Sequence, residues 1–471
     1  MKSILHQRYP ALRARVGVSR WDITPALSVC AKNWGAATSW FANGVHRRLA
    51  GTALALAPLD EGEPPLLLIV LELGWWRSRK DVATLRQQLL AEFELPDQNL
   101  IVHLTHTHSG PALDSDAPSE ARPDTARAYL ARLSETCVEG GREALSRRHS
   151  ATALFRYGRC ALATQRDFRD PEAPDRFLCG FHPEGLADDT LLVARLVADE
   201  GRTLATLVNY ACHPTTLAWE NTLISPDYPG AMRELVEAET DGAPCLFLLG
   251  AAGELAPAEQ YVGDVRLADR HGRELGHAAL ATLAPLAAGH SALRFDGSVE
   301  SGAPLAMWRS CAGPASEVLR SVAPTVSLPL KPDLPSIAAI DEALARKPDG
   351  FQYERLLRQR RVRASFGDEQ TSVEHIWLWR LGDAALCAIP CEAYSLLQTR
   401  LRQEFSGRPV LVLNIGNGSL GYLPPRALYD HNVYTVWQTP FGRGGLEIVM
   451  DAALNGLREL DTSCTGNTDQ R

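Results

Sequence analysis

Short apolar runs of strand type alternate with amphipathic helical segments along most of this chain. Runs of about four to eight apolar residues between turn residues are typical of strands in a sheet that is covered on both faces. Apolar residues three and four positions apart predict the helices between them. The strands are predicted at 66–71, 100–104, 204–210, 245–249, 376–381, 384–389 and 410–413, and the helices at 81–92, 124–145, 228–238, 264–286 and 393–405.

The dipeptide Gly382-Asp383 separates two of the predicted strands and has the composition of a tight hairpin turn. A hairpin makes its two strands antiparallel, whereas parallel strands need a longer crossover, usually a helix. The predicted fold class is therefore α/β, with mixed sheets flanked by helices. A regular eightfold alternation of strand and helix, as in a barrel of parallel strands, is not evident.

The composition argues against several classes of partner. The 471 residues carry 48 basic and 56 acidic side chains, and the net charge of -8 argues against nucleic acid or an anionic membrane. No stretch reaches the roughly 20 apolar residues of a membrane span, and the N-terminus lacks the apolar stretch of a secretory signal. The ten cysteines form no CxxC pair and are expected to be reduced thiols in the core. We therefore expect a cytoplasmic protein without an integral membrane segment.

One continuous catalytic domain is expected over residues 1–460, because chemically suggestive residues lie on both sides of the least regular segment. That segment, 297–368, is richer in proline and charge and shows no clear strand–helix alternation. A linker, an inserted subdomain and a lid are its three open interpretations. Its basic cluster at 358–363 is predicted to be a solvated helix face. The polar residues 461–471 are predicted to form a flexible tail.

Two histidines, His106 and His108, follow the predicted strand 100–104 and precede a Ser-Gly-Pro turn. Residues i and i+2 of an extended backbone point to the same side, so both imidazoles are expected to face one space. Two histidines in apolar surroundings are costly to bury without partners. The pattern fits a metal site at the end of a strand, and it fits two hydrogen-bonded core histidines equally well.

Three other predicted strands lead in the same way to a side chain that can ligate a metal. His213 follows the strand at 204–210, Glu392 follows a strand and a proline, and Tyr422 closes a glycine-rich loop. Each has an ordinary alternative: a hydrogen-bonded core histidine, a carboxylate favoured by a helix dipole, and a core aromatic side chain. Taken singly, these residues do not decide between the alternatives.

Together the segments resemble the signature blocks of the neutral (non-lysosomal) ceramidase family, in order, from residue 16 to residue 456. The blocks are VGVSRWDITP at 16–25, GVHRRL at 44–49, THTHSGP at 105–111, NYACHPT at 209–215, GAAGELAP at 250–257, PCE at 390–392 and NGSLGY at 417–422. The resemblance implies that family's catalytic domain, without the immunoglobulin-like domain that follows it in known ceramidases. It also implies a zinc-dependent hydrolase that cleaves linear amides.

Transferred residue by residue, the family's motifs imply a zinc site and a substrate site. The implied zinc (Zn2+) ligands are His106, His213, Glu392 and Tyr422. The implied substrate-facing residues are His108, Arg166 and Tyr434. This set is chemically sound, because zinc takes nitrogen and oxygen ligands, lowers the pKa of a bound water to about 7 and favours a deprotonated phenol.

The chain departs from the ceramidase pattern in the block at 250–257. Ceramidases have a serine that contacts the head of the substrate where this chain has Ala256, and an aspartate where it has Glu254. Alanine cannot replace a hydroxyl, so hydrolysis of an amide is better supported than hydrolysis of ceramide. The expected substrate is a small-molecule or lipid-like N-acyl compound, with ceramide as one option. Tryptophans near the blocks are expected either to line an acyl pocket or to be ordinary core and rim aromatics: Trp34, Trp40, Trp75, Trp76 and Trp437.

Two alternatives to a one-zinc amidohydrolase stay open from the sequence. A two-metal hydrolase would use both His106 and His108 as ligands, and it would hold about two metal ions per chain. A non-catalytic scaffold would keep the zinc and the fold and would have lost activity with Ala256. The first differs from the main hypothesis in metal content, and the second differs in turnover.

Overall fold

The computed structural model describes residues 5–6, 8–60, 62–173, 175–287 and 291–462. Within them the helices are α1 Arg79–Phe93, α2 Pro123–Ser146, α3 Tyr228–Ala238, α4 Val265–Leu283, α5 Ile337–Ala345, α6 Gly350–Phe366, α7 Leu396–Glu404, α8 Tyr434–Gln438 and α9 Gly445–Thr462. The strands are β1 Leu5–His6, β2 Ala11–Asp22, β3 Gly44–Val45, β4 Ala50–Ala57, β5 Leu66–Leu71, β6 Leu100–Leu104, β7 His149–Arg159, β8 Ala163–Gln165, β9 Asp167–Arg169, β10 Phe177–Cys179, β11 Thr190–Ala198, β12 Thr203–Tyr210, β13 Leu223–Ile224, β14 Cys245–Leu249, β15 Leu255–Pro257, β16 Ala292–Glu300, β17 Pro304–Cys311, β18 Leu319–Val322, β19 Thr325–Pro329, β20 Thr371–His375, β21 Trp377–Leu381, β22 Ala384–Ala388, β23 Glu392–Ala393, β24 Val410–Leu413 and β25 Tyr422–Leu423.

Two sheets dominate the architecture. The larger has eight strands in the order β14-β12-β11-β7-β2-β4-β5-β6, and the smaller has four in the order β18-β21-β22-β24. The outermost pairs of the large sheet, β12 with β14 and β5 with β6, are parallel, as is β22 with β24 in the small sheet. The remaining pairs of both sheets are antiparallel. The predicted α/β class with mixed sheets is confirmed.

The two sheets pack face to face, and helices cover their outer faces. Along β5, Leu67 and Ile69 join the core under α1 to α4, whereas Leu66 and Leu68 join the core between the sheets. The far face of the small sheet packs on α7 and α9. The order of layers is helices, large sheet, small sheet, helices. Both faces of the central strands are therefore apolar, which is why the strands read as continuous apolar runs.

The seven predicted strands are all present, with bounds within one residue, and the five predicted helices are present within three. The hairpin is present too, since Leu381 pairs with Ala384 and Gly382 takes a φ of +61°. Two helix ends differ for identifiable reasons. The helix predicted from 393 begins at Leu396 because Glu392 and Ala393 pair with β25. The helix predicted to 286 ends at Leu283, just before the residue that precedes Pro285.

The segment 297–368 contains regular elements that the sequence did not indicate. It includes β17, the edge strand β18 of the small sheet, β19, and the helical hairpin of α5 and α6. The strands precede the two helices in the chain, so the lack of strand–helix alternation agrees with the structure, although the individual elements were not predicted. The short, half-exposed strands and a strongly polar α6 carry little periodic apolar signal, which explains the difference.

The structure bears on the expectations for the cysteines, for membrane-spanning helices and for the C-terminal tail. In the described part of the chain, nine cysteines are free, and seven of them are buried. Within the same residues, no helix is both long enough and apolar enough to cross a bilayer. Helix α9 extends to Thr462, and the rest of the predicted tail, 463–471, lies outside the described residues.

Candidate metal centre

Four strands of the two sheets lead to the implied metal ligands. His106 follows β6 and His213 follows β12, both in the large sheet. Glu392 lies in β23, after β22, and Tyr422 lies in β25, after β24. The short strands β23 and β25 are parallel, with Glu392 directly opposite Tyr422. The face-to-face packing of the sheets thus brings together side chains that are far apart in the sequence.

The loop after β24 fastens the two sheets to each other beside the centre. The side chain of Asn417 accepts a hydrogen bond from Val102 N (2.7 Å) and donates one to Leu100 O (3.0 Å). Leu249 N donates to the buried His103 Nε2 (3.0 Å), and burial lowers the pKa of His103 to about 3. His106 has a φ of +73°, a left-handed conformation that few residues other than glycine adopt. The turn that carries His106 is therefore held rigidly in an uncommon conformation.

Three acceptor atoms converge at the centre. Glu392 Oε2 lies 3.2 Å from His106 Nε2 and 3.0 Å from His213 Nε2. The other ring nitrogens contact backbone carbonyls: His106 Nδ1 lies 3.1 Å from Gly74 O, and His213 Nδ1 lies 2.6 Å from Ala252 O. A carbonyl only accepts, so each Nδ1 carries a proton, and each ring turns its Nε2 toward the carboxylate. This group of three side chains can hold a metal ion.

Electrostatics favours the metal-binding forms of two of these side chains, His213 and Glu392. Burial, reinforced by the charge of Arg166, lowers the pKa of His213 to about 4, so this imidazole is neutral at pH 7. Burial alone would raise the pKa of Glu392, but His106 and His213 hold it well below its usual range through charge and hydrogen bonds. A neutral imidazole and an ionised carboxylate are the forms that ligate metals.

Tyr422 and Arg166 form the next part of the site. The Tyr422 ring lies nearly parallel to the His213 ring, with centroids 6.4 Å apart. Burial and the charge of Glu392 raise the pKa of Tyr422 well above its usual value, so the phenol keeps its proton in the metal-free site. Arg166 is buried and donates from Nη2 to Gly253 O (2.7 Å) and to the Tyr422 hydroxyl (3.3 Å). The guanidinium is thereby aimed at the phenol oxygen.

His108 lies beside the centre and outside the group of three. Its ring centroid is 4.9 Å from that of His106, and it is flanked by Trp34 and Trp75 at 5.0 and 4.9 Å. Among the described residues, both of its ring nitrogens are buried without a hydrogen-bond partner. Burial and the nearby His106 lower the pKa of His108 well below its usual value. The side chain is therefore a neutral imidazole with both nitrogens available to a bound molecule.

No protein-family model and no curated protein sequence matches this chain. Solved structures do match. A ceramidase complexed with C2 superposes with a TM-score of 0.65 at 17% sequence identity, over 96% of this chain and 76% of that one. A neutral ceramidase from Pseudomonas aeruginosa gives a TM-score of 0.66 at 18% identity, over 96% and 75% of the two chains.

The chain has the neutral ceramidase fold. The resemblance drawn from the sequence blocks is confirmed at this level, and at 17–18% identity the likeness establishes the fold alone. Within the ceramidase fold of this chain, the side chains of all seven implied site residues lie in one continuous cluster. Tyr434 completes it, because its ring centroid lies 5.6 Å from that of Tyr422.

Arg358 is a site neighbour that the sequence did not indicate. The basic cluster at 358–363 was expected to be a solvated helix face, and this prediction was wrong for three of its arginines, including Arg363, whose side chain is only 13% exposed. Arg358 is partly buried and donates from Nη1 to the Tyr434 hydroxyl (3.1 Å), and Arg361 pairs with the buried Asp114 at 2.9 Å. Helix α6 thus reaches the site of this ceramidase fold. Polar sequence gives no sign of such a contact, because its partners come from distant segments.

Some of the tryptophans near the sequence blocks lie beside the candidate centre, and others are ordinary core residues. Trp34 lines a cavity beside His108, Trp75 flanks that histidine, and Trp437 contacts the Tyr434 ring at 5.0 Å. Trp76, by contrast, is a buried core residue. The residues around the cavity are mixed, and they include Trp34, Phe41, His108, Trp219, Asn221 and Leu223. A space with aromatic walls and a few polar groups therefore adjoins the centre of the ceramidase fold.

The block at 250–257, which departs from the ceramidase pattern, lies behind the candidate centre and supports it. Ala256 lies in β15, fully buried, and its carbonyl accepts from Thr164 Oγ1 (2.8 Å). Its side chain offers no polar atom. Glu254 accepts hydrogen bonds from the backbone and the hydroxyl of Ser395, at 2.9 and 2.5 Å. Glu254 thereby anchors the segment that follows Glu392.

Proposed function

We propose that this protein is a zinc-dependent amidohydrolase that cleaves an N-acyl bond in a small-molecule or lipid-like substrate. The observation that carries the proposal is the convergence of His106 Nε2, His213 Nε2 and Glu392 Oε2, with both Nδ1 atoms already bonded to carbonyls. The fold supports it as well, since the solved structures that match are ceramidases by title.

Four side chains would hold the zinc ion: His106, His213, Glu392 and Tyr422. A bound zinc ion supplies Lewis acidity and an activated water at neutral pH. Arg166 lowers the cost of ionising Tyr422, because its positive charge and its hydrogen bond both act on the phenol oxygen. The backbone carbonyls of Gly74 and Ala252 orient the two imidazoles, as partners of ligating histidines commonly do.

His108 is placed to move a proton. As a neutral base beside the centre, it can take a proton from the attacking water and deliver it to the leaving nitrogen. Its flanking tryptophans keep bulk water from the imidazole, since both ring nitrogens are shielded from solvent. Proton transfer by a positioned side chain contributes about 100- to 10,000-fold to the rate.

Tyr434 is placed to stabilise the oxygen of the substrate carbonyl. Its hydroxyl accepts from Arg358, and this hydrogen bond makes the phenol a better donor toward a developing negative charge. The Tyr434 ring contacts the Tyr422 ring edge to face, with centroids 5.6 Å apart, so Tyr434 lies next to an implied zinc ligand. This assignment gives each implied substrate-facing residue a separate chemical task.

The geometry favours one metal ion over two. The ligand group in the described residues contains His106 and not His108, whose nitrogens remain available to substrate. The non-catalytic alternative is less well supported, because a scaffold that only needs zinc has no use for an unbonded buried imidazole beside the ion.

Metal depletion and restoration test the proposal. Wild-type protein is treated with a chelator and assayed on a panel of N-acyl substrates before and after zinc is added back. Hydrolysis should require zinc, and Glu392→Gln should lower kcat/KM by at least about 1,000-fold because a ligand charge is lost. Glu200→Gln, in an exposed turn, is the matched control and should be unchanged. Metal-independent hydrolysis, or no hydrolysis of any substrate with zinc present, would contradict the proposal.

A further inference from the structure

Positive charge exceeds negative charge beside the substrate side of the centre. Arg77 and Arg361 share a single carboxylate, that of the buried Asp114, at 3.9 and 2.9 Å. Arg358, one turn before Arg361 on α6, makes no ion pair in the described part of the chain. Burial and the charge of Arg361 lower the pKa of Arg77 to about 10, as expected where cations crowd each other. In the described part of the chain, Asp114 is the one carboxylate that forms ion pairs within the cluster of Arg77, Arg358 and Arg361.

Arg358 has hydrogen-bond donors to spare. Its Nη1 donates to the Tyr434 hydroxyl, and the amide oxygen of Gln438, suitably oriented, accepts from Nε and Nη1. Both partners are neutral, and Nη2 is left over from the five donors of a guanidinium. The interaction with Tyr434 is the main cause that raises the pKa of Arg358, and Tyr422 and Glu392 contribute, so the guanidinium lies within electrostatic range of the centre. A partly buried arginine without a carboxylate at ion-pair distance, next to a proposed substrate group, has the properties of an anion-binding residue.

The position of Arg358 suits a group attached to the substrate. Tyr434 contacts the Arg358 guanidinium through its hydroxyl and Tyr422 through its ring, so Arg358 lies one residue beyond the proposed oxyanion donor. A substrate with an uncharged polar head is less well supported, because the buried Ala256 offers no hydroxyl that could bind such a head.

We propose that Arg358 binds a carboxylate of the substrate, so that the preferred substrate is an N-acyl compound bearing a carboxylate, such as an N-acyl amino acid. This inference rests on the proposed amidohydrolase function. Arginine suits the task, because its planar fork pairs with a carboxylate through two parallel hydrogen bonds. Arg358 is then a specificity-determining residue for the same centre.

A matched pair of substrates tests the inference through turnover. An N-acylglycine and the corresponding N-acylglycinamide share an acyl chain and differ in one charge. Wild-type protein should prefer the acid in kcat/KM by about 10- to 100-fold, the range of a charge-assisted hydrogen bond. Arg358→Gln should remove most of this preference, Arg358→Lys should retain part of it, and Arg360→Gln should retain all of it. Arg360 is the control because it is exposed on the same helix and pairs with Asp341.

The outcomes distinguish an Arg358 that binds the substrate carboxylate from an Arg358 that only orients Tyr434. An equal loss on both substrates in Arg358→Gln would show that Arg358 only positions Tyr434, and would overturn the inference. No preference for the acid in wild-type protein would overturn it as well.

Binding to metal-depleted protein separates the inference from the proposed function. The same acid and amide are titrated against wild-type protein and Arg358→Gln, with tryptophan fluorescence as the signal, since Trp34, Trp75 and Trp437 surround the site. Tighter binding of the acid that depends on Arg358 supports the inference even without turnover. Equal binding of acid and amide by wild-type protein overturns it, even if zinc-dependent hydrolysis is found.

Discussion

The two walls of the candidate centre are built differently. The ligand wall, made of His106, His213 and Glu392, is supported from behind by backbone carbonyls and by strands of both sheets. The open wall, made of His108, Tyr434 and Arg358, carries side chains with hydrogen-bonding capacity left over. The difference indicates that one wall is preorganised to hold an ion and the other to receive a molecule.

The walls also differ in where their residues come from. The ligand wall follows the ends of long buried strands, where tertiary packing fixes the backbone to within a narrow range. The open wall comes from a turn, the short helix α8 and the polar helix α6. Substitutions in the two walls should therefore have different effects, and the predictions below separate them.

The largest difference between the effects of substitutions in the two walls is expected from His108→Gln. This substitution should lower kcat by about 100- to 10,000-fold, because the proton carrier is lost, while the zinc content stays unchanged. His149→Gln, on an exposed part of β7, is the control. Parallel measurements of kcat and bound zinc are sufficient. Loss of zinc in His108→Gln would show that His108 is a zinc ligand, and it would contradict the division into two walls.

A smaller effect is expected from the support behind the ligand wall. Burial raises the pKa of Glu254 from 4.5 to about 7, so between these values the folded protein binds a proton that the unfolded chain has released. The folded state is thus favoured at low pH and loses about 1.4 kcal/mol per pH unit as the pH rises toward 7. Glu254→Gln does not titrate. The free energy of unfolding of metal-depleted wild-type protein should fall relative to this variant by about 2–3 kcal/mol between pH 5 and 7.5.

Chemical denaturation at several pH values measures this difference. The comparison with Glu254→Gln cancels the titration of groups common to both proteins, including the buried histidines. A difference that is constant from pH 5 to 7.5 would show that Glu254 is ionised throughout and that its pKa is not raised.

The smallest effect is expected in the turn that joins the two walls. Thr107 lies between the two histidines, and its hydroxyl donates to Ser225 O (2.7 Å) and accepts from Ser109 N (3.1 Å). Thr107→Val should lower the free energy of unfolding by about 1–3 kcal/mol, because two buried backbone groups lose their partner. Thr84→Val, on the exposed face of α1, should stay within about 0.5 kcal/mol of wild type. Equal stability of the two variants would show that the turn does not need this hydroxyl.

The sequence predicted the ligand wall's framework better than the open wall. Strands such as β5 and β6 are buried on both faces, so their continuous apolar runs locate them almost to the residue. Among the described side chains of helix α6, Phe366 at its C-terminal end is the one buried residue, so the sequence carries no apolar stripe, and the contact with Tyr434 spans 76 residues. Single residues such as His213 were ambiguous, because a core histidine and a ligand have the same local sequence. These residues were assigned to one metal site by the resemblance of the ordered motifs to a known family, and not by the local sequence pattern.

The most direct test of the central claim is the zinc content of purified protein by mass spectrometry, compared between wild type, His108→Ala and His213→Ala. A single ion in the ligand wall predicts about one zinc per chain in wild type and in His108→Ala, and almost none in His213→Ala. About two zinc ions per wild-type chain, or undiminished zinc in His213→Ala, would contradict the account.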